Sequence, residues 1–535
     1  MENIYQKIIN KCLKEKISTE KELLDIKRWA SKTFNIPTPS NVSLLQFYHN
    51  LLEKGRIKRN EKLEKILRKR KIRSLSGVVV VSVLTKPYPC PGRCIYCPLE
   101  KGIPKSYLSG EPAVERAKKL NFSPFLQMKK RIESLKKQGH PVDKIELRII
   151  GGTWSFYSQK YRIWFISNCF AAANDRERKN YSSIKFLEKE QKKNEKAQHR
   201  IVGISIETRP DLIDEKEILN LRRLGVTMVE LGVQTVFDDI LKKCQRGHLV
   251  KETIRATKLL KDAGFKVMYQ MMPNLPGSNL KRDLECFEIL FNDSRFKPDW
   301  LKIYPCLVCK GSKLYQIWKK GNYKPYSCKQ LISLLIKIKS KLPYWTRVAR
   351  IFRDIPVSKI EGGCKISNLR EIVQKELKKR KLKCKCIRCR EVRERYDPKE
   401  KVYLFREDYE ASDGKEIFLS FENKKREKLL AFLRVRIPSF VLEHKSSPLF
   451  HFLPVLKNAG LIREIHTYGQ MLPLKERSLS PQHRGLGKKL VKEAEKIIKK
   501  EFRLSKVVVI SGVGVREYWR KLGYRLYNTY MVKKI

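Results

Sequence analysis

The sequence has few acidic residues and no long apolar run. Asp and Glu number 56 against 117 Lys and Arg, which gives a formal net charge of +61 over 535 residues. Heat-adapted proteins are enriched in both signs of charge, so a one-signed excess favours a polyanionic partner, and we expect nucleic acid. No apolar segment approaches the ~20 residues that span a bilayer. The first residues are polar and carry no secretory signal, so we expect a cytoplasmic protein without a membrane partner.

Without a secretory signal, the 14 cysteines indicate reduced thiols that bind metals or clusters rather than disulfides. Cys90, Cys94 and Cys97 follow an apolar run at the spacing C-x3-C-x2-C, which resembles that of radical S-adenosylmethionine (SAM) enzymes. Three closely spaced thiolates can bind three corners of an iron–sulfur cube and leave the fourth iron open to a small molecule. A zinc site would need a fourth ligand nearby, and no further cysteine follows before Cys169. We therefore expect a [4Fe-4S] cluster and SAM.

Residues 1–73 are predicted to form a separate helical segment with a basic surface. Apolar residues recur there at helical spacing, and Pro37-Thr38-Pro39-Ser40 interrupts the pattern. The end of the segment is rich in Lys and Arg with few acids between them, which favours phosphate contact over a merely solvated face. The candidate RNA-binding residues are Lys58, Arg59, Lys62, Arg68, Lys69 and Arg70.

From residue 74 to residue 365, short apolar runs alternate with amphipathic helices. This predicts an α/β fold with a parallel sheet, open or closed into a partial (β/α) barrel. The predicted strands are 78–84, 144–150, 201–206, 228–231, 265–272 and 300–304. Ligands bind at the carboxyl ends of such strands, where the unusual motifs fall. The expected cofactor-binding residues are Gly151, Gly152, Glu207, Arg209 and Gln234, and Lys302 is a weaker catalytic candidate.

Residues 366–396 form a basic linker that is rich in cysteine. Its cysteine group has the spacing C-x-C-x2-C, which indicates zinc with a fourth ligand from elsewhere in the chain. The group comprises Cys384, Cys386 and Cys389. Spacing leaves the fourth ligand open among His466, which we prefer, His444, His451 and Cys364. The basic helix before the cysteines adds RNA-binding candidates, namely Lys378, Lys379 and Arg380.

Residues 397–535 alternate like antiparallel strands before a glycine-rich loop opens a helix. A glycine loop at a helix start presents free backbone N–H groups to a phosphate. A mixed α+β sheet before the loop, with a strand and a Tyr-bearing helix after it, predicts that the loop binds the pyrophosphate of coenzyme A. The candidate residues are Gln482, His483, Arg484, Gly485, Leu486, Gly487 and Tyr518.

The pattern of Gln482, Gly485 and Gly487 resembles the acetyl-CoA loop of GNAT acetyltransferases. A radical SAM domain ahead of a GNAT domain resembles the catalytic subunit of Elongator, a family that modifies the wobble uridine of tRNA. A single chain with a basic N-terminus is similar to the archaeal form, which works without the other Elongator subunits. The resemblance covers about residues 70–535 and rests on an ordered set of motifs, among them Ser76-Gly77-Val78, Arg93–Cys97, Leu147–Thr153, Glu207–Asp211, Met272–Gly277, Ser367–Arg370, Arg463-Glu464, His466 and Met531-Val532-Lys533.

The resemblance implies a reaction that uses both domains. With an external electron donor, SAM yields a 5′-deoxyadenosyl radical that takes hydrogen from the methyl group of acetyl-CoA. The carbon radical then adds to carbon 5 of the uridine, and thioester hydrolysis leaves 5-carboxymethyluridine. The tRNA anticodon stem-loop would present the base unstacked, and Tyr518 would handle the thioester.

This sequence departs from the family pattern at two places. The family usually spaces its first two cluster cysteines one residue wider than Cys90 and Cys94. Its paired tyrosines are here Tyr518-Trp519, which leaves Tyr518 as the better hydroxyl candidate.

Other classes explain only part of the sequence. A GNAT protein lysine acetyltransferase would need the C-terminal domain alone and would leave the cluster motif and the charge unexplained. A radical SAM tRNA methylthiotransferase would need a second cluster, which Cys384, Cys386 and Cys389 could hold. A non-enzymatic tRNA-binding scaffold would bind tRNA without consuming SAM.

Metal analysis of the anaerobically reconstituted protein separates these classes. We expect about four irons per chain, because one cubane binds at the first cysteine motif, and about one zinc at the second. About eight irons per chain would instead favour the methylthiotransferase. A chain that binds no iron would contradict the radical SAM interpretation.

Overall fold

The protein is described here by a computed structural model that covers residues 2–68, 74–177, 182–469 and 485–535. The first four helices pack around an apolar core of their own, as the helical prediction requires. In the second of them, Thr19 and Glu22 form a capping box that satisfies free N–H groups at the helix start. The helices are α1 (Glu2–Lys14), α2 (Glu20–Phe34), α3 (Asn41–Glu53) and α4 (Glu61–Leu67).

A seven-stranded parallel sheet follows, and it forms the partial barrel that the alternating pattern predicts. Its strands, in spatial order, are β1 (Val79–Leu84), β2 (Lys144–Ile150), β3 (Arg200–Thr208), β4 (Met228–Gln234), β5 (Lys266–Met271), β6 (Trp300–Ile303) and β8 (Arg347–Ile351). The last strand is missing from the sequence prediction because Arg347 and Arg350 interrupt its apolar run. Two short strands, β7 (Val308–Cys309) and β9 (Ile360–Gly362), form a separate antiparallel sheet.

Helices connect the strands of the barrel and continue into the linker. Most are amphipathic and bury one face against the apolar core that contains the strands. They are α5 (Pro112–Lys119), α6 (Pro124–Lys137), α7 (Gln159–Ala173), α8 (Ile184–Asn194), α9 (Glu215–Arg223), α10 (Asp238–Lys243), α11 (Val250–Asp262), α12 (Leu280–Asn292), α13 (Lys313–Lys319), α14 (Cys328–Lys341), α15 (Leu369–Lys379) and α16 (Ile387–Arg390).

The C-terminal domain is a mixed seven-stranded sheet, as predicted for residues 397–535. Its strands, in spatial order, are β10 (Tyr403–Ala411), β11 (Gly414–Glu422), β12 (Leu429–Ile437), β13 (Gly460–Thr467), β14 (Lys506–Val509), β16 (Tyr530–Lys534) and β15 (Arg525–Tyr527). Among the strands described for this sheet, β13 and β14 alone pair in parallel, through three residues of each. Strand β13 continues beyond these paired residues to Thr467. The helices are α17 (Ser439–Leu442), α18 (Leu449–Phe452), α19 (Leu486–Lys500) and α20 (Arg516–Arg520).

The expectation that all cysteines are reduced thiols is wrong at one pair. Cys328, the first residue of α14, forms a disulfide with Cys364, and their Cα atoms lie 4.8 Å apart. The two residues are 36 positions apart in the chain, so no local spacing indicates the pairing. Cys364 is thereby also excluded as a zinc ligand.

The barrel and the C-terminal domain share one apolar core and a buried network of charges. The network contains four carboxylates and four cations, and no side chain in it is more than 5% exposed. The barrel contributes Lys261, Asp262 and Asp299, and the C-terminal domain contributes Glu416, Arg434, Arg436, Arg463 and Glu464.

Arg463 lies at the centre of this network. Its guanidinium donates to Asp299 of the barrel at 2.5 Å and to Glu416 of its own domain at 2.7 Å. It also donates to the Phe265 carbonyl at 2.6 Å. Burial raises the pKa of Asp299, but Arg463 and Lys261 lower it, and the net shift is downward. Asp299 is therefore charged, and it pairs with cations from both domains, Lys261 of the barrel and Arg463 of the C-terminal domain.

Among the described residues, no helix combines the length and the apolar character that crossing a bilayer would require.

Replacing Arg463 by methionine should destabilise the protein by about 3–5 kcal/mol, because Asp299 and Glu416 would remain buried without their main cation. The matched control is Arg406→Met, which removes a more exposed arginine that pairs with Asp408 and Glu501 in the same sheet. This control should cost about 0–1 kcal/mol. Thermal unfolding compares the two variants. Equal shifts in melting temperature would contradict the role of the buried network.

Candidate active site

One cavity of about 1230 Å³ joins the barrel to the C-terminal domain. The cysteine loop lines one end of it, and Gly485, Gly487 and Tyr518 line the other. Between these ends the lining includes alternate residues of β2 from Lys144 to Ile150, as inward-facing positions of a strand should. The two sites that the sequence predicts separately therefore open into the same space.

The cysteine loop is held by hydrogen bonds from three other segments of the chain. The Ile95 amide donates to the Cys244 carbonyl (3.1 Å), and the Leu314 amide donates to the Ile95 carbonyl (2.8 Å). The Lys105 ammonium donates to the Gly92 carbonyl at 2.5 Å. The tertiary structure, and not the loop sequence alone, therefore sets the positions of the three thiols.

Cys90, Cys94 and Cys97 fit a cluster better than a single metal ion. One ion bound by three thiolates at about 2.3 Å would require three sulfurs close together. Among the described residues, one group of three ligand atoms lies within 4.8 Å of one another, and it belongs to the other cysteine motif. The sulfurs of this loop do not form such a group, and three thiol ligands are the number that a cubane with one open iron takes.

The environments of the three thiols differ. Cys90 Sγ lies 3.4 Å from Thr153 Oγ1, and Cys94 Sγ accepts a hydrogen bond from Arg246 at 3.5 Å. Burial raises the pKa of Cys94, but Arg246 and its neighbours lower it by more, so the net shift is downward. Burial raises the pKa of Cys97 to about 12. Cys94 is thus the thiol that ionises most readily of these two.

Polar atoms without partners face the cavity beside the cysteines. Gln234 and Thr208 line the cavity, and Gln234 Oε1 and Thr208 Oγ1 are buried without a hydrogen bond. Buried polar atoms are normally paired, so these atoms are available to a polar ligand such as SAM. Gln234 has a positive φ of 72°, which places it in the left-handed region at the end of β4.

The predicted glycines and Arg209 lie at the same end of the barrel. Gly151 has a φ of 132°, and a Cβ there would meet Thr85 Oγ1 at 2.0 Å, so a side chain cannot be accommodated. Gly152 follows it on the cavity wall. Arg209 also lines the cavity, but its guanidinium already pairs with Asp211 and donates to the Arg246 carbonyl at 2.8 Å. Arg209 therefore supports the site through other residues.

Lys302 is held between two carboxylates. Its ammonium donates to Glu230 and, at 3.2 Å, to Glu207. Glu207 also accepts from the Tyr107 hydroxyl at 2.9 Å and from Gln270 at 3.3 Å. Burial lowers the pKa of Lys302, but Glu230 and then Glu207 raise it, and the net shift is upward. Lys302 is therefore protonated at neutral pH.

The sequence analysis missed three of these polar residues. Glu230 lies on β4 and Gln270 on β5, each inside a mainly apolar strand, and Tyr107 lies in the segment after the cysteine loop. A single polar residue within an apolar strand is the signal that could have identified Glu230 and Gln270. Tyr107 carries no such signal in the sequence.

The far end of the cavity lies at the start of α19. Gly485 caps this helix with a φ of 70°, and Leu486 and Gly487 form its first turn, where backbone N–H groups lack helical partners. A Cβ on Gly487 would lie 3.0 Å from the Tyr518 hydroxyl, so that hydroxyl lies against the helix start. Burial raises the pKa of Tyr518 to about 12. The predicted loop residues Gln482, His483 and Arg484 lie outside the described residues.

The second cysteine group converges, but the preferred fourth ligand is wrong. The sulfurs of Cys384, Cys386 and Cys389 lie within 4.8 Å of one another, and in the described chain no histidine joins the group. His466 Nε2 instead hydrogen-bonds to the Ser76 carbonyl at 2.6 Å. His466 lies on β13, and this strand places its side chain beside Ser76, just before β1.

A buried lysine accompanies this second group. The Lys339 ammonium lies 3.4 Å from Cys384 Sγ and 3.5 Å from Cys389 Sγ, and its side chain is fully buried. Three thiolates and a divalent ion carry one net negative charge, which this ammonium would balance. The donor set therefore supplies three of the four ligands that a structural zinc ion takes.

The predicted RNA-binding residues fall on two separate surfaces. On the N-terminal segment Lys58, Arg59 and Lys62 are exposed, although Arg59 pairs with Glu64 at 3.3 Å. Arg68 is half-buried, and burial lowers its pKa. Lys69 and Arg70 lie outside the described residues. On the linker, the exposed residues at the end of α15 are Lys378, Lys379 and Arg380.

Comparison with known proteins identifies relatives of the whole chain. A family model described as the Radical SAM superfamily matches residues 88–288, and one described as the Radical_SAM C-terminal domain matches residues 298–379. A tRNA uridine(34) acetyltransferase of Methanocaldococcus infernus is 45% identical, with 100% of both chains covered. Elongator complex protein 3 of Homo sapiens is 39% identical, with 88% of this chain and 86% of the relative covered.

A solved structure is also similar to this chain. The archaeal Methanocaldococcus infernus Elp3, with an N-terminal deletion, superposes with a TM-score of 0.74 at 44% identity. The match covers 86% of this chain and 100% of that one.

Replacing Lys302 by methionine should destabilise the protein by about 3–5 kcal/mol near pH 7.5, because Glu230 and Glu207 would lose their cation. The loss should shrink toward pH 5, since carboxyls without a cation have raised pKa values and become neutral. Lys302 itself stays charged over this window, because its pKa is raised in the fold and its contribution is lost only at alkaline pH.

Thermal unfolding at the two pH values measures this effect. The exposed Lys313→Met is the control and should change the melting temperature little. A double variant Lys302→Met/Glu230→Gln should regain part of the stability. An equal loss at both pH values would argue against charged carboxylates at this position.

Proposed function

The chain belongs to the family of tRNA uridine(34) acetyltransferases and Elongator complex protein 3, and from this we propose that it modifies the wobble uridine of tRNA. We propose in detail that it uses radical SAM chemistry and acetyl-CoA to make 5-carboxymethyluridine. The observation that carries the proposal is the single cavity that joins the cysteine loop to the start of α19. An acetyltransferase that worked independently of the radical domain would not need this connection.

Cys90, Cys94 and Cys97 would hold the [4Fe-4S] cluster, and the unpartnered atoms of Gln234 and Thr208 would contact SAM. When bound, the cluster and SAM supply a 5′-deoxyadenosyl radical, which requires one electron from an external donor. The barrel wall encloses this end of the cavity, so the side chains there keep water from the reacting atoms.

Acetyl-CoA would bind at the other end of the cavity. The free N–H groups at the start of α19 suit its pyrophosphate, together with the predicted loop residues Gln482, His483 and Arg484. Tyr518 keeps its proton at neutral pH because burial raises its pKa to about 12. Its hydroxyl can therefore donate a hydrogen bond to a thioester oxygen and is poorly suited to act as a base.

Lys302 occupies the barrel interior near the cysteine end of the cavity. Since its pKa is raised, the ammonium does not serve as a general base at neutral pH. Glu207 and Glu230 orient it, and it would stabilise negative charge that develops on the acyl group or on the base. We assign it this electrostatic role.

The basic surfaces of α4 and α15 would bind the phosphates of the tRNA, with the anticodon base entering the cavity unstacked. The linker group Cys384, Cys386 and Cys389, balanced by Lys339, would bind zinc. Such a site would fix α15 and α16 near α14 and hence fix the basic helix relative to the barrel.

The decisive experiment supplies reconstituted enzyme with SAM, dithionite, bulk tRNA and acetyl-CoA labelled in its methyl group, under anaerobic conditions. Nucleoside mass spectrometry should find label in 5-carboxymethyluridine, and Cys94→Ala should abolish it because the cluster is lost. Tyr518→Phe should reduce the product at least tenfold, since a donor to the thioester is worth about 1.5–3 kcal/mol when charge develops on its partner.

The matched control is Tyr527→Phe, which removes an exposed tyrosine hydroxyl from β15 of the same domain. It should leave the yield unchanged. Label on protein lysines that is indifferent to Cys94→Ala would contradict the proposal and favour a lysine acetyltransferase. SAM cleavage without any transferred label would point to another acyl donor.

A further inference from the structure

A buried arginine contacts one of the three cluster cysteines. The Arg246 guanidinium donates to Cys94 Sγ at 3.5 Å, and Arg246 is 7% exposed. The Cys90 sulfur lies 3.4 Å from the neutral hydroxyl of Thr153. Within the described residues, Cys94 is the one sulfur of the three with a hydrogen bond from a cation. The three ligands are therefore not equivalent.

Arg246 is held in place by the barrel. A second guanidinium nitrogen donates to the Gly232 carbonyl at 2.6 Å. A Cβ on Gly232 would lie 2.6 Å from that nitrogen, so glycine leaves room for the contact. The Arg246 carbonyl accepts from Arg209 at 2.8 Å, and Arg209 is itself fixed by Asp211. These contacts fix both the guanidinium and the backbone of Arg246.

A structural role alone does not explain this arrangement. An arginine that merely joined strands could use backbone carbonyls throughout, as the buried Arg222 does with the carbonyls of Val226 and Thr529. Arg246 instead directs part of its guanidinium to a sulfur. Burying a charge is costly unless the charge is paired, and the partner here is a thiolate.

We propose that Arg246 is a positioning residue that raises the reduction potential of the cluster through its hydrogen bond to Cys94. This inference rests on the proposed function, because it requires the cluster to bind. Hydrogen bonds to the ligating sulfurs and net charge are both known to set the potentials of such clusters. One-electron reduction adds a negative charge, and a fixed cation at one sulfur stabilises the reduced state more than the oxidised one.

The three cysteine ligands would then differ in the electron density that they donate to the cluster. Cys94, with its cationic partner, donates less electron density than Cys90 or Cys97. The external donor then reduces the cluster more easily. Gly232 serves the same end because it accepts from the guanidinium, and Arg209 does so because it donates to the Arg246 backbone carbonyl.

The test is an EPR-monitored redox titration of the anaerobically reconstituted full chain, without SAM or tRNA. Arg246→Gln removes the charge, and it should lower the equilibrium constant for reduction about tenfold, which for a one-electron couple is 59 mV. Arg246→Lys keeps a charge but has a shorter reach, so it should give a smaller fall of about threefold. The control Arg222→Gln removes a buried arginine from outside the cavity lining and should leave the potential unchanged.

The outcomes separate this inference from the proposed function. A wild-type chain that takes up no cluster would overturn the proposed function itself. A loaded Arg246→Gln protein with the wild-type potential would overturn the inference and leave the proposed function intact. If Arg246→Gln does not retain the cluster, Arg246→Lys decides: an unchanged potential overturns the inference, and a downward shift supports it.

Discussion

The buried charges between the barrel and the C-terminal domain are the interaction on which the rest of the structure depends. Arg463 and Arg436 of one domain pair with Asp299 and Asp262 of the other, away from solvent. Such pairs add little stability compared with apolar residues of equal volume, because desolvation offsets attraction. Any other docking of the two domains, however, would leave buried charges unpaired. The network therefore fixes one relative position.

That fixed position creates the cavity. With the domains docked, the start of α19 faces the inside of the barrel, and Tyr518 and the cysteine loop line one continuous space. A reaction between an acyl group and a radical requires the two to meet within near-contact distance. Docking opens the cysteine loop and the start of α19 into one space, so an acyl group bound at one end has a continuous path to the other.

Charge pairing also organises the interior of the barrel. Lys302 is neutralised by Glu207 and Glu230, and Arg246 is positioned against Cys94. Against the effect of burial, the carboxylates raise the pKa of Lys302, and Arg246 lowers the pKa of Cys94. The same principle places Lys339 beside the linker cysteines. Cations next to sulfurs thus occur at both cysteine groups.

Short sequence patterns predict many of the structural elements of this protein. The apolar runs predict six of the seven barrel strands, the cysteine spacings predict both sulfur groups, and the glycine loop predicts the start of α19. These features depend on neighbours along the chain, so the sequence by itself contains them. Tertiary structure alone decided the rest: the Cys328–Cys364 disulfide, the position of His466, and the contact of Arg246 with Cys94. Each joins residues far apart in the chain, and only the packing of the domains brings such residues within bonding distance.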